Sequence, residues 1–360
     1  MIPVHAPDLG AAEAAALARC VEAGDAGGHS PTVAAFEEAF ARRVGAAYAV
    51  ATASGSAALH LAFTALGSGP GDEVIVPSFT FAPCADMVAL TGATPVLVDS
   101  DPVTFNVSPD AVRAALTPAT RAVLAVHLYG RPCDLTALRA LCDERGVALV
   151  EDCAQGLGAV HAGRPVGSYG VAACYSFYAN KVLTTGEGGM VTTADGALAQ
   201  RLRSFRSHAQ VADPDRPYLR TAVGFNYRMP AFGAAVGLAQ LGRLDAFLDR
   251  KAANAARYTS LLDGVVGVPA PVPPGDRHAH WAYAVRVDGG AAGLAAFLGD
   301  RGIETRRFYH PLHRHPVAGE HRALPHCEAF ARDGLVLPSG NALAPRDVET
   351  VAAAVREYRS

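Results

Sequence analysis

The sequence predicts an α/β protein with a mostly parallel seven-stranded sheet flanked by helices, followed by a smaller C-terminal α+β domain. From about residue 46, short β-rich runs alternate with helical segments, which is the pattern of a largely parallel sheet. Half of the 360 residues are hydrophobic and only 18% are charged, so the chain can bury a large core and is not disordered. Beyond residue 267 the pattern changes to fewer strands mixed with helices.

Seven β-rich runs are expected to form the large sheet. They are 47–53, 73–77, 94–99, 121–130, 148–154, 173–178 and 189–193. Helices are expected between most of them, for example at 56–66, 82–90, 109–115 and 134–145. The last two strands are joined by a loop too short for a crossover helix, so we expect them to run antiparallel or to form a hairpin-like edge.

The second half of the chain divides at a predicted helix. Residues 230–262 repeat apolar positions at helical spacing and are expected to form one long helix that connects two domains. A small α+β domain is predicted to follow, with a strand, a helix, a strand and a last helix at 279–288, 290–300, 303–309 and 345–358. We therefore expect a large domain at 1–245 and a small domain at 246–360. The irregular connection 207–227 is expected to be functional, because long irregular connections are unusual in compact domains.

Charge and cysteine usage limit the partners and the compartment. The formal net charge of −3 gives no reason to expect nucleic acid or an anionic membrane as a partner. No apolar run approaches the ~20 residues that span a bilayer, and the N-terminus has no secretory pattern. The seven cysteines form no CxxC pair and their number is odd, which is typical of buried free thiols. A cytoplasmic location is therefore expected.

Lys181 is the first candidate for chemistry. It follows a predicted strand within SFYANKVLTTGEGGMV, in a chain that uses arginine almost everywhere else. A lysine at the end of a buried strand is suited to forming a Schiff base, because burial favours its neutral, nucleophilic form. The alternative is a surface lysine with its ammonium group in solvent, which describes most lysines. Lys181 alone does not decide between the two.

Further candidates follow other predicted strands. Asp152 ends an apolar strand at the edge of the sheet where open α/β folds build their sites, and it could oppose a pyridinium nitrogen, with Gln155 near the ring oxygen. Ser56 and the amides of Ser56 and Ala57 begin a helix and could bind a phosphate. Phe81, in PSFTFAP, could stack on a cofactor ring. The alternatives are a helix cap for Asp152, an ordinary N-cap at the serines and a core position for Phe81.

These segments resemble those of a known family in their order, their spacing and their residues. The chain is similar, nearly end to end, to the DegT/StrS-type nucleotide-sugar aminotransferases, which are pyridoxal phosphate (PLP) enzymes of the fold type I, aspartate-aminotransferase architecture. The matching segments are FEEAFARRVGAAYAVATASGSAALHLAF, EVIVPSFTFAP, VHLYGRPCDL, VEDCAQGLGA, CYSFYANKVLTTGEGGM and GFNYRMPAFGAAVGLAQL.

The resemblance assigns roles to the candidates. It implies that Lys181 is catalytic and holds the cofactor covalently, while Asp152 pairs with the pyridinium nitrogen. It also implies that Gln155, at a position where relatives have His or Gln, contacts the ring oxygen and that Phe81 stacks on the ring. Phosphate ligands are then Ser56, Ala57 and Ser176, with Asn226 reaching across a homodimer interface to the partner's phosphate.

The same resemblance implies the reaction. Glutamate is the expected amino donor and a keto sugar the acceptor, with a nucleotide-linked 4-keto-6-deoxyhexose as the first candidate because the Lys181 loop is most similar to perosamine-type enzymes. A 3-keto sugar or a keto-cyclitol of antibiotic biosynthesis is the alternative acceptor. Where the family has a TGP-like turn this chain has GGHSP (27–31), which makes His29 a candidate substrate contact.

The segment 308–317 is rich in histidine. It holds three histidines within six residues, and His321 and His326 follow. A metal site is one interpretation, since histidine is a common ligand, but the spacing fits no usual zinc motif. The favoured interpretation is a lining of the sugar-nucleotide pocket, with Tyr309 and His310 as contacts and no metal.

Three other functions are less consistent with the sequence. A nicotinamide-dependent reductase needs a G-x-G-x-x-G turn, which SGSAALH does not supply. The sugar 3-dehydratases of the same family replace the lysine with histidine, whereas Lys181 is present here. A non-catalytic sensor built on this fold would carry a DNA-binding module, for which this sequence shows no additional length.

Overall fold

The fold is built on one large sheet. A computed structural model describes residues 1–210, 213, 215–216, 218–315 and 322–359. Its first nine strands are β1 (Tyr48–Thr52), β2 (Glu73–Pro77), β3 (Thr94–Val98), β4 (Thr120–Val126), β5 (Ala148–Asp152), β6 (Val160–His161), β7 (Arg164–Pro165), β8 (Ala172–Ser176) and β9 (Gly189–Thr193). Seven of them form a sheet in the order β1-β9-β8-β5-β4-β2-β3, while β6 and β7 pair with each other. The predicted fold class and all seven predicted strands are confirmed.

The sheet is parallel except at β9. Strands β3, β2, β4, β5 and β8 run parallel, whereas β9 is antiparallel to both β8 and β1. The antiparallel prediction for the last two strands is therefore correct, but the prediction of a sheet edge is wrong. The first strand of the sheet, β1, pairs with the free side of β9 from Tyr48 opposite Thr193 to Thr52 opposite Gly189, and this leaves β9 buried along its whole length.

Helices flank the large sheet and also occur in the C-terminal part of the chain. They are α1 (Ala11–Glu22), α2 (Pro31–Val44), α3 (Gly55–Ala65), α4 (Pro83–Ala89), α5 (Pro109–Ala115), α6 (Leu135–Arg145), α7 (Gly196–Arg206), α8 (Ala231–Leu241), α9 (Leu244–Leu262), α10 (Ala292–Asp300), α11 (Pro325–Asp333) and α12 (Pro345–Arg359). The described part of the chain contains no helix that is both long and apolar enough to cross a membrane.

The predicted single helix at 230–262 is wrong, because the chain forms α8 and α9 with a break between them. Gly242 follows α8 directly, and glycine is a poor helix former. The next residue, Arg243, donates hydrogen bonds to the carboxylates of Asp8 and Glu13 in the N-terminal segment. These two ion pairs hold the break against the start of the chain.

Strand β4 ends earlier than predicted. It stops at Val126, and the chain then turns through Tyr129, whose φ of 55° is in the left-handed region, and Gly130, whose φ is 97°. A Cβ on Gly130 would lie 2.8 Å from the backbone nitrogen of Trp281, so only glycine permits this approach. The turn also accepts the amide of Ala279 at 2.8 Å. The turn thus fixes residues 279–281 against the large sheet.

The C-terminal part has its own sheet and core. Strands β10 (Tyr283–Arg286), β11 (Arg306–Arg307) and β12 (Gly334–Leu337) pair antiparallel in the order β10-β12-β11. The first two are shorter than the predicted strands, and the central one, β12, was not predicted. A second core cluster gathers buried residues from Ala255 to Val355, mainly from this sheet and α9, α10 and α12. The domain boundary after residue 245, which would fall inside α9, stays a prediction.

Candidate active site

One cavity of about 390 Å³ lies at the carboxyl ends of β5 and β8 and against the first turn of α3. Seven of the residues predicted from the sequence line it: Ser56, Phe81, Asp152, Gln155, Ser176, Lys181 and Tyr309. They come from segments more than 250 residues apart in the chain, since Ser56 and Tyr309 face the same space. The topology of the sheet therefore brings the predicted site together.

Lys181 lies in the loop between β8 and β9. Its backbone amide donates to the carbonyl of Tyr178 at 2.9 Å, and its Nζ lies 4.5 Å from the ring centroid of Trp281. Burial lowers the pKa of Lys181 to about 8, against the opposing influence of the Asp152 carboxylate. A lower pKa leaves more of the amine neutral near pH 7, which is the form that acts as a nucleophile or a base. The surface interpretation of this lysine is therefore not supported.

Asp152 is buried at the end of β5 and faces the cavity. Its Oδ1 accepts the amide of Ala154 at 2.9 Å, and its Oδ2 accepts the thiol of Cys84 at 3.2 Å. These two donors fix the plane of the carboxylate. The residues after Asp152 form turns and not a helix, so a helix-capping role does not apply.

An amide and two aromatic rings border the cavity. The Oε1 of Gln155 accepts the amide of Tyr129 at 2.7 Å, and its Nε2 donates to the hydroxyl of Tyr309 at 3.2 Å. Both bonds fix the orientation of the amide. Phe81 is 58% exposed although it borders a concave site, and its ring centroid lies 6.1 Å from that of Tyr309. An exposed phenyl ring in a cavity is suited to contact with a flat ligand.

The first turn of α3 approaches β8 closely. A Cβ on Gly55 would lie 2.7 Å from the Cβ of Ser176, so glycine is required where helix and strand meet. Ser54 caps the helix, with its Oγ accepting the amide of Ala57 at 3.1 Å. That amide is already bound, and Ala57 does not line the cavity. Ser56 and Ser176 do line it, beside the positive end of the helix.

Besides Ala57, three predicted residues lie outside the cavity of a single chain. His29 is exposed before α2, and Asn226 is exposed in a bridge with Ser207. His310 is also exposed, with its ring 5.2 Å from that of His315. None of the three lines the cavity. Their predicted roles stay predictions, and the role predicted for Asn226 involves a second chain.

The histidines of the C-terminal segment have separate partners. His313 is buried between the hydroxyl of Ser78, 2.7 Å from its Nδ1, and the carboxylate of Glu328, 3.2 Å from its Nε2. His326 contacts the carbonyl of Ser100 through its Nδ1 at 3.0 Å. His321 lies outside the described residues. The described histidines of this segment therefore do not converge on one point.

The cavity residues that were not predicted as site residues include Cys84, Trp281 and Arg306. Cys84 is on α4, Trp281 precedes β10, and Arg306 begins β11. Trp281 is the only tryptophan in the chain, which was the one signal that could have singled it out. Nothing in the local sequence indicates that these residues lie beside Lys181.

The side chains that line the cavity fit PLP. Lys181 supplies an amine with a lowered pKa, Asp152 a fixed carboxylate, and Phe81 an exposed ring face. Ser56 and Ser176 supply hydroxyl groups beside the first turn of α3, where a phosphate can bind. Together with the sheet, these features place the protein among the PLP-dependent enzymes of the aspartate-aminotransferase architecture.

Comparison with known proteins gives the family. The chain belongs to the DegT/DnrJ/EryC1/StrS aminotransferase family, which it matches over residues 7–356. It is 40% identical to the GDP-perosamine synthase of Caulobacter vibrioides, with 98% of this chain and 97% of the relative covered. It is 41% identical to the dTDP-3-amino-3,4,6-trideoxy-alpha-D-glucose transaminase of Streptomyces venezuelae, over 98% of this chain and 93% of the relative.

A solved structure confirms the architecture. Spr1654 of Streptococcus pneumoniae in its PLP form superposes with a TM-score of 0.94 at 26% identity, covering 99% of this chain and 98% of that one. The protein is therefore a PLP-dependent aminotransferase, as its sequence predicts.

Proposed function

We propose that this enzyme transfers the amino group of glutamate to a nucleotide-linked 4-keto-6-deoxyhexose, with Lys181 as the lysine that binds PLP and moves the proton. The observation that carries the proposal is the convergence of Lys181, Asp152 and Ser176 on one cavity at the ends of β5 and β8. The acceptor class is supported by the 40% identity to a GDP-perosamine synthase over nearly the whole chain.

Each residue has a task that its contacts support. PLP supplies an electron sink for the carbon that gains or loses the amine. Asp152, fixed by Ala154 and Cys84, holds a positive charge at the ring nitrogen. Lys181 Nζ takes up a proton from the substrate carbon and returns it, because its lowered pKa suits both directions near neutral pH.

The other lining residues hold the cofactor in place. Ser56 and Ser176 bind the phosphate at the first turn of α3. Gln155, whose amide is fixed by Tyr129 and Tyr309, contacts the ring oxygen. Phe81 covers one face of the ring. Tyr309 contacts substrate from the side of the small sheet.

The second candidate acceptor is a 3-keto sugar. It is supported by the 41% identity to the Streptomyces venezuelae transaminase, whose name places the amine at carbon 3. The two identities are nearly equal, so overall similarity does not separate the acceptors.

We expect the purified enzyme to aminate a nucleotide-linked 4-keto-6-deoxyhexose in the presence of glutamate. The test is a set of parallel reactions with GDP- and dTDP-linked 4-keto and 3-keto deoxyhexoses, followed by mass spectrometry of the products and by the visible spectrum. Glutamate alone should first convert the cofactor to its amine form. Amination of the 3-keto sugar only would select the second acceptor, and no response to glutamate would contradict the amino donor.

We also propose that two chains share each active site, in a cytoplasmic homodimer. The arm 207–227 carries Tyr218 and Val223, each 82% exposed, although large hydrophobic side chains are rarely left in solvent in groups. Asn226 lies at the base of this arm and outside its own cavity. The compartment is supported by the cysteines, all of which are buried and unpaired.

Co-expression of two inactive variants, Lys181→Ala and Asn226→Asp, is expected to restore activity. The aspartate adds a negative charge that repels the phosphate of the partner's site. In a mixed dimer the intact Lys181 of one chain meets the intact Asn226 of the other, so random pairing gives about one quarter of the normal active sites. Each variant expressed alone is the control. If the mixture stays inactive, Asn226 does not act across an interface.

A further inference from the structure

The two lysines of the chain meet at one tryptophan. Lys181 and Lys251 are the only lysines, and Trp281 is the only tryptophan. The Nζ of Lys181 lies 4.5 Å from the centroid of the indole, while the Nζ of Lys251 donates to the backbone carbonyl of Trp281 at 3.2 Å. Trp281 therefore has one lysine over its ring and the other on its backbone.

Lys251 is buried without an acidic partner. It lies on α9, is 4% exposed, and also donates to the carbonyl of Ser339 at 2.6 Å. Within the described residues no ion pair involves it. Burial of an ammonium group without a carboxylate is unfavourable, so Lys251 does not serve solubility at this position. Its two bonds tie the Trp281 segment to the chain after β12.

The indole is fixed on its ring side as well. Its Nε1 donates to the carbonyl of Asn180, the residue before Lys181, at 2.9 Å. The ring of His5 is stacked on it with centroids 4.9 Å apart and an angle of 22°. Trp281 is 3% exposed and lines the cavity. The indole is therefore held at its Nε1 and on one ring face.

We propose that Trp281 is a catalytic residue that holds the protonated amine of Lys181 in place, and that Lys251 is the positioning residue that fixes Trp281. This inference rests on the proposed role of Lys181. When Lys181 is not bound to PLP, its amine needs a defined position from which to move a proton. An aromatic face provides one, because it attracts an ammonium group without forming a hydrogen bond that must be broken.

The titratable groups around the two lysines are few. Asp152 and Cys84 favour the charged form of Lys181, while Arg306 opposes it, and burial, the largest effect, lowers its pKa to about 8. Burial alone lowers the pKa of Lys251 to about 7. Burial and Lys251 together lower the pKa of His5 to about 3. Among the described residues, the only cation–π contact of Lys181 is with the indole of Trp281.

The test measures the pKa of Lys181 by competitive labelling of the full-length chain freed of PLP, with mass spectrometry of the labelled peptides. Two lysines give two distinct peptides. We expect Trp281→Leu to give a lower Lys181 pKa than Trp281→Phe, by about 0.5 to 1, because phenylalanine keeps an aromatic face and leucine does not. The kcat of the holoenzyme should fall more than its KM changes.

The role of Lys251 is tested with a matched pair. Lys251→Met keeps the aliphatic stem and removes the donors, whereas Lys251→Arg keeps a donor. Lys251→Met should shift the fluorescence of the single tryptophan and lower the Lys181 pKa, and Lys251→Arg should reverse at least part of both changes. Equal Lys181 pKa values in the two Trp281 variants would overturn the role of the indole. An unchanged fluorescence and pKa in Lys251→Met would overturn the role of Lys251.

These readouts do not require turnover. If Lys181 titrates as expected but the enzyme does not react with glutamate, the proposed function fails and the contact stands. If the enzyme is active but the pKa of Lys181 is the same in both Trp281 variants, only the present inference fails and the proposed function is unaffected. Unfolding curves of the four variants show whether each is folded, and the Trp281 pair alone decides the inference should Lys251→Met not fold.

Discussion

Replacement of Lys181 by alanine is expected to abolish transamination together with the visible absorbance of the cofactor–lysine bond. Alanine can neither bind PLP covalently nor move the proton, and loss of a general acid–base group alone costs roughly 10²–10⁴-fold in rate. The fold should be retained, because within the described residues the Lys181 side chain makes no hydrogen bond. The backbone bond to Tyr178 is independent of the side chain. The measurements are the visible spectrum and kcat with glutamate.

The chain offers a sharp internal control for this result. Reduction of the holoenzyme with borohydride fixes PLP to the lysine that binds it, and only Lys181 and Lys251 are available. Mass spectrometry should find the cofactor on the peptide that contains Lys181. Attachment at Lys251, or transamination at a near-normal rate by Lys181→Ala, would contradict the assignment.

The large sheet was predictable because its strands are local apolar runs. β2 and β9 were found at the predicted bounds, and β5 ends at Asp152, two residues before the predicted end at 154. In a parallel sheet the carboxyl ends of strands share one edge. Once the strands are predicted correctly, candidate site residues at the ends of different strands are expected to lie close together. Asp152, Ser176 and Lys181 do so.

Features that depend on distant partners were not predictable. The position of β9 inside the sheet depends on its pairing with β1, about 140 residues earlier in the chain, and no local pattern encodes a partner. β12 has only four residues and follows α11 without a turn, and neither of the two was predicted from the sequence. Trp281 and Cys84 face Lys181 and Asp152 across the cavity from separate elements, so sequence alone showed neither contact.

Substitution of Asp152 by asparagine should reduce kcat by roughly 10²–10³-fold, because it leaves the positive ring nitrogen without its buried counter-charge. Loss of one partner from a buried ion pair costs ~3–5 kcal/mol, and each 1.36 kcal/mol changes a rate about tenfold. Asparagine has nearly the same shape and its Oδ1 can still accept the amide of Ala154. The effect should therefore be electrostatic, with the protein folded and PLP still attached to Lys181.

The matched control is Asp86→Asn, which removes the same charge from an exposed position on α4 outside the cavity. It should leave kcat within about twofold, since surface charges away from a site contribute little. Asp152→Glu keeps the charge but displaces it from the Cys84 thiol. Its kcat should lie between the kcat values of the two asparagine variants. If Asp152→Asn turned over as fast as Asp86→Asn, the carboxylate at the end of β5 would not be the partner of the ring nitrogen, and the proposed orientation of PLP in the cavity would be wrong.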